Sequence, residues 1–128
     1  MTNVELTAGD DAPEFEAEIS DGSTVTLSGL LSSGKKVILY FYPRDNTPGC
    51  TTQACDFRDN FGRLEGSGWT VIGVSTDGAN SHNKFIQKHE LPFELIVDED
   101  AVLHEKFGTW REKSMYGKTY MGTLRSTF

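Results

Sequence analysis

Cys50 and Cys55 are the only thiols in this 128-residue chain, and both lie in Tyr42-Pro43-Arg44-Asp45-Asn46-Thr47-Pro48-Gly49-Cys50-Thr51-Thr52-Gln53-Ala54-Cys55. A thiol reacts as its thiolate, and a helix N-terminus is one place where the thiolate is favoured. Thr47 suits a helix N-cap and Pro48 the first helical position, so Cys50 stands third. On that register the Thr47 hydroxyl is expected to accept the Cys50 amide, as in a capping box. The sulfur then sits among unpaired amides that favour an anion. Pro43 ends the preceding strand and helps to set the direction of the loop.

Cys55 follows five residues later. If both cysteines are helical, they differ by about 140° around the axis and about 7.5 Å along it, which puts their Cα atoms roughly 8–9 Å apart. Bridging without backbone movement requires less than about 7 Å. A Cys50–Cys55 disulfide therefore requires the first helical turn or more to unwind, which suits a switching redox pair better than a permanent staple. The gap also excludes the Cys-x-x-Cys spacing of dithiol reductases. Read on its own, Cys55 could equally be a small buried apolar residue. A metal site would need further ligands close by, and His82, His89 and His104 stand singly, as surface or packing histidines do.

The elements around this segment must position it. Residues 15–19 and 24–27, separated by Asp21-Gly22-Ser23, read as a hairpin. Residues 36–42 form a continuous apolar run ending at Pro43, as in a central strand covered on both faces. Residues 48–64 read as a helix with Ala54, Phe57, Phe61 and Leu64 in one stripe. A second buried strand is expected over 69–76, a helix over 81–89 and a third strand over 94–98. Asp100 is placed to cap a short helix ending at Phe107, with Gly108 as its left-handed stop. Such alternation predicts an α/β fold with parallel strands and right-handed crossovers. After Gly117 the chain reads as extended through Thr119-Tyr120-Met121 and 124–128. It stops in mid-pattern at Phe128, which suggests truncation.

The formal net charge of −7 argues against attraction to nucleic acid or an anionic membrane. Hydrophobic residues at 37% and charged residues at 24% suit a globular chain of one domain. The first eleven residues show no basic region followed by an apolar run, so no signal peptide is read there, and nothing approaches the roughly 20 apolar residues of a membrane span. Two cysteines in such a chain are more often redox or catalytic than structural, and a cytoplasmic location is the expectation.

Pro43-x-x-x-Thr47-x-x-Cys50 at a strand-to-helix turn resembles the active-site motif of the peroxiredoxins. The surrounding residues from Tyr40 to Cys55 look like the bacterioferritin-comigratory, or Q-type, branch. Gly73-Val74-Ser75-Thr76-Asp77, Leu91-Pro92-Phe93, Lys113-Ser114-Met115-Tyr116-Gly117-Lys118 and Arg125-Ser126-Thr127-Phe128 match as well, so the resemblance covers essentially the whole chain. It implies a thioredoxin-like fold, with a mixed central sheet flanked by helices and an N-terminal β-hairpin. It implies reduction of hydrogen peroxide and organic hydroperoxides without metal, haem or another cofactor.

By that match Cys50 is the peroxidatic cysteine, whose thiolate attacks the O–O bond and becomes a sulfenic acid. Thr47 and Arg125 match residues that position the peroxide and stabilise charge, and Pro43 shields the sulfur. Cys55 matches the resolving cysteine, which condenses with the sulfenic acid. Thioredoxin or a similar dithiol protein then restores the pair. A monomer or weak dimer is expected. Only the resemblance selects Arg125 among the arginines at 44, 58, 63, 111 and 125; Arg58 is the second choice.

Two departures stand out. Members often carry Glu three residues after the peroxidatic cysteine, and here Gln53 can accept a hydrogen bond but adds no charge. The family also continues beyond Phe128 through further strand and helix, so a sheet edge is expected to be exposed and stability weakened. The competing readings are a non-catalytic redox switch or binding module built on a Cys50–Cys55 disulfide, and a disulfide oxidoreductase.

Overall fold

The computed structural model describes residues 5–128. The hairpin forms as strands β1 (Glu16–Ile19) and β2 (Thr24–Thr26), paired antiparallel. Its turn is closed by Asp21, whose Oδ1 accepts the Ser23 amide at 2.8 Å, and Gly22 supplies the left-handed residue at φ +90°. Helix α1 (Leu27–Ser32) follows immediately, capped by the Thr26 hydroxyl on the Gly29 amide.

Strand β3 (Lys36–Phe41) leads to helix α2 (Pro48–Gly66), strand β4 (Trp69–Ser75), helix α3 (Ala79–His89), strand β5 (Glu94–Val97) and helix α4 (Val102–Lys106). Strands β6 (Trp110–Met115) and β7 (Lys118–Thr123) form a separate two-stranded ribbon, and β8 (Ser126–Thr127) returns to the main sheet. The six-stranded sheet has the order β2-β1-β5-β4-β3-β8. Strands β3, β4 and β5 are parallel, while β1 joins β5 and β8 joins β3 antiparallel. This is the mixed, helix-flanked α/β architecture expected from the sequence.

The period-2 alternation of a strand divides the core. Leu39, Phe41, Ile72, Val74 and Ile96 face one side of the sheet, with Phe15, Leu103 and Phe107 packed over them. Tyr40, Tyr42, Val71 and Leu95 face the other, covered by Cys50 and Ala54 of α2 and by Phe85, Leu91 and Phe93. Gly73 lets the Tyr40 ring lie flat on β4: a Cβ there would come within 2.8 Å of Tyr40 Cζ and 2.7 Å of Leu95 Cδ2. The stripe expected on α2 is in place, with Phe57 against Tyr40 (ring centroids 4.7 Å) and Phe61 against Phe93 (6.2 Å).

Three elements differ from expectation. Helix α1 and strand β6 are additional. Helix α4 is capped by Asp98, not Asp100: Asp98 Oδ1 accepts the Leu103 amide at 3.0 Å and Oδ2 the His104 amide at 2.9 Å. The reason is the backbone at Ala101, left-handed at φ +58°, which turns the chain so that a carboxylate from the end of β5 faces the helix start. Gly108 is left-handed at φ +73°, as expected. No helix among the described residues is long and apolar enough to cross a membrane.

Candidate active site

The site is built where β3 hands over to α2. Pro43 follows the strand, and the loop to Thr47 contains Asn46 at φ +60°, a conformation that Asn tolerates better than most residues. Thr47 is the N-cap in backbone terms (φ −88°, ψ 153°), with Pro48 opening the helix and the Thr51 amide bonded to the Thr47 carbonyl at 2.8 Å. The side chain departs from expectation, because the Thr47 hydroxyl donates to the Arg44 carbonyl at 2.8 Å and makes no capping bond. A tight turn leaves the Arg44 carbonyl without a ladder partner, and the hydroxyl satisfies it. The Thr47 lone pairs are thereby left available to another donor.

Cys50 is 1% exposed and lies in the first turn of α2, among amides that no helical carbonyl reaches. Arg125 meets it from the opposite side. Its Nη2 donates to Cys50 Sγ at 3.1 Å and its Nη1 to Gln53 Oε1 at 2.6 Å. Strand β8 fixes the origin of that side chain, since Phe41 pairs with Ser126 and Tyr40 with Thr127. On the other side of Arg125, the Leu124 amide bonds to Thr109 O at 2.7 Å. Gln53 thus takes the role of arginine acceptor without carrying charge.

Cys55 is half-buried farther along the same helix, and α2 is wound through both cysteines. Both thiols are free. The neighbour of Cys55 Sγ is His89 Nδ1 at 4.0 Å, not Cys50. Arg58, the second-choice arginine, bonds instead to Asp59 and to the His89 carbonyl. Against Pro43 and Thr47 lies a cleft of about 510 Å³, walled by Trp110, Met115, Tyr120 and Met121 of the β6–β7 ribbon.

Comparison with known proteins shows the family of the chain. The AhpC/TSA family model matches residues 8–128. Peroxiredoxin Bcp of Bacillus subtilis is 49% identical over 120 residues, covering 94% of this chain and 75% of that protein. Peroxiredoxin Bcp of Escherichia coli K12 is 46% identical over 123 residues, covering 96% and 78%. The chain belongs to the AhpC/TSA family. Among solved structures, peroxiredoxin Q of Xanthomonas campestris superposes with a TM-score of 0.82 at 38% identity, over 89% of this chain and 71% of that one. The bacterioferritin comigratory protein of the same organism, studied for its alkyl peroxide reduction, gives 0.84 at 36% over 100% and 79%. Its fold is therefore the thioredoxin-like fold of the peroxiredoxins, which are thiol-dependent peroxidases.

The fold also holds a buried polar network that spacing did not reveal. Asp45 accepts from the Tyr42 hydroxyl at 2.6 Å, from the Ser81 hydroxyl at 2.8 Å and from His82 Nδ1 at 2.7 Å. Its amide donates to Asp77, which also accepts from Ser75. His82 and His104 are wholly buried polar hubs, not surface residues. His104 joins Asp98 (2.6 Å) to Thr123 (2.9 Å), two residues before Arg125. Each histidine is distant in sequence from part of its partner set, so only tertiary packing brings these groups together. Burial of the Tyr42 phenol beside Asp45 pushes its pKa well above the ordinary value.

Asp45, Asp77 and His82 come near enough to hold a cation. However, His82 Nδ1 already meets Asp45 at 2.7 Å and its Nε2 meets the Ile96 carbonyl at 2.8 Å. Both ring nitrogens are thus engaged within the protein, and the three side chains fit a structural network better than a metal centre.

Proposed function

We propose that this protein reduces hydrogen peroxide and organic hydroperoxides through Cys50. The observation that carries the reading is the Arg125 guanidinium 3.1 Å from a buried cysteine sulfur at a helix N-terminus. A fixed cation and unpaired amides favour the thiolate, and the same groups stabilise negative charge developing on the leaving oxygen. The Cys50 thiolate attacks one peroxide oxygen, the O–O bond breaks, and Cys50 becomes a sulfenic acid while the second oxygen leaves as hydroxide or alkoxide, which takes a proton from solvent to give water or alcohol.

Thr47 is the positioning group. Its proton is committed to the Arg44 carbonyl, so its oxygen can accept from the peroxide O–H and orient the attacked atom. By family resemblance Pro43 is the residue that shields the sulfur, and the apolar walls of the cleft against Pro43 and Thr47 suit the organic part of an alkyl hydroperoxide.

Cys55 acts as the resolving thiol. Its distance along a wound α2 means that the first turn must open before the disulfide forms. Thioredoxin or a similar dithiol protein then reduces the bond. We read the chain as one cytoplasmic domain that works as a monomer or weak dimer, without metal or other cofactor.

Stopped-flow mixing of the reduced protein with peroxide tests this reading. Cys50→Ser should abolish peroxide consumption, and Cys55→Ser should keep one fast oxidation and stall in recycling with thioredoxin. Peroxide reduction retained in Cys50→Ser, or normal recycling in Cys55→Ser, overturns the corresponding assignment.

A further inference from the structure

The resolving step needs Cys55 as a thiolate, yet Cys55 lies beyond the turn where α2's unpaired amides favour an anion. What faces it is an imidazole: His89 Nδ1 is 4.0 Å from Cys55 Sγ, within reach of a sulfur hydrogen bond. We propose that His89 is the base that takes the Cys55 proton during disulfide formation, an inference that rests on Cys55 being the resolving thiol.

His89 is held in place. It is the last residue of α3, which stops where Glu90 turns left-handed at φ +52° and bonds back to the Ile86 carbonyl. The Phe85 ring stands edge-on to the imidazole, with centroids 5.3 Å apart. Arg58, one turn after Cys55, donates from Nη1 to the His89 carbonyl at 2.9 Å. Helix α2 beyond Cys55 is therefore tied to the end of α3, and Phe57 and Phe61 pack it against Phe93. The turn before Cys55 is fastened differently, by Arg125 on Cys50 and Gln53 and by the Thr52 hydroxyl on the Pro48 carbonyl. Unwinding thus belongs to the Cys50 end. Cys55 stays beside its base while the sulfenic acid is brought to it.

The step balances without a further reagent. The Cys55 S–H proton passes to Nδ1 of a neutral imidazole, and the thiolate attacks Cys50 Sγ. The S–S bond forms as the S–O bond of the sulfenic acid breaks, and the oxygen leaves as hydroxide. The proton held by His89 balances that hydroxide as water. The charged and titratable groups around the pair are Arg58 on α2, with Asp59 and Glu90 beside it, and Tyr40 on β3. The Arg58 cation assists the anion but takes no proton.

The test is rapid-quench measurement of disulfide formation after one equivalent of hydrogen peroxide, in the wild type and in His89→Gln, from pH 6 to about pH 9. An ordinary thiol is only a few per cent ionised at pH 7, so loss of the base should slow resolution roughly tenfold there, relative to Cys50 oxidation in the same molecules. The deficit should close near pH 9, where a thiol ionises without help. His89→Asn serves if His89→Gln does not fold. Resolution at the wild-type rate at pH 7, or slowing by the same factor at pH 7 and pH 9, overturns the role of His89. Failure of the underlying reading looks different: Cys55→Ser would recycle normally, and no Cys50–Cys55 disulfide would form in any variant.

Discussion

The Arg125 guanidinium bridges two residues of one helical turn, with Nη2 3.1 Å from Cys50 Sγ and Nη1 2.6 Å from Gln53 Oε1. The bridge links reactivity to helix integrity. While α2 is wound, the cation sits on the sulfur; when the first turn opens, both contacts are lost together. Arg125→Ala should lower the rate of Cys50 oxidation by about 10²–10³, the typical loss for one preorganised charge-stabilising donor. Pre-steady-state oxidation by hydrogen peroxide measures it.

Gln53 should act through Arg125 and not on the peroxide itself. Gln53→Ala should slow oxidation by a smaller factor than Arg125→Ala, and Gln53→Glu should retain the rate. The two substitutions should also be non-additive in a double-mutant cycle, since they share one interaction. Additive effects would separate Gln53 from the arginine.

Much of this arrangement was legible in the chain. The apolar run before Pro43 and the Ala54–Phe57–Phe61–Leu64 stripe read as β3 and α2 because burial on two faces or one leaves different periodicities. Strand β6 did not, because Trp-Arg-Glu-Lys-Ser-Met forms an exposed ribbon whose pairing with β7 leaves little apolar alternation. Helix α1 is six residues of Leu, Ser and Gly, too short for a periodic signal. Asp98 replaced Asp100 as the α4 cap through a left-handed Ala101, a conformation that the residue type does not announce. Arg125 could be chosen only by resemblance, since its position over Cys50 depends on β8 pairing with β3, across most of the chain's length.

Tyr40 carries the one buried side-chain polar atom without a partner among the described residues, its hydroxyl lying over Gly73 beneath α2. Burial raises its pKa far above the ordinary phenol value. An unsatisfied buried hydroxyl costs about 1–3 kcal/mol, so Tyr40→Phe should be neutral or stabilising by about 1 kcal/mol in urea unfolding. A loss of 1 kcal/mol or more would show that the hydroxyl has a partner. Gly73→Ala should do the opposite and destabilise by about 1–3 kcal/mol, because its Cβ would meet Leu95 and Tyr40 within 3 Å.

Asp98 holds three donors at once: two α4 amides and the His104 ring, which in turn meets Thr123. Asp98→Ala should therefore cost about 2–4 kcal/mol, the sum of a lost cap and an unpaired buried group. Because Thr123 leads into Arg125, oxidation of Cys50 should slow as well. Calorimetry and stopped-flow oxidation on the same variant check the two effects.

The central claim is that Cys50 reacts with peroxide and that Cys55 captures it after α2 opens. The most direct measurement is the intact mass and thiol count of reduced protein after one equivalent of hydrogen peroxide, with far-ultraviolet circular dichroism on the same sample. The expected product has lost two hydrogens and both free thiols, carries a Cys50–Cys55 disulfide within one chain, and shows less helix than the reduced form. A product that gains one oxygen and keeps Cys55 free, or a disulfide with undiminished helix, would contradict the account.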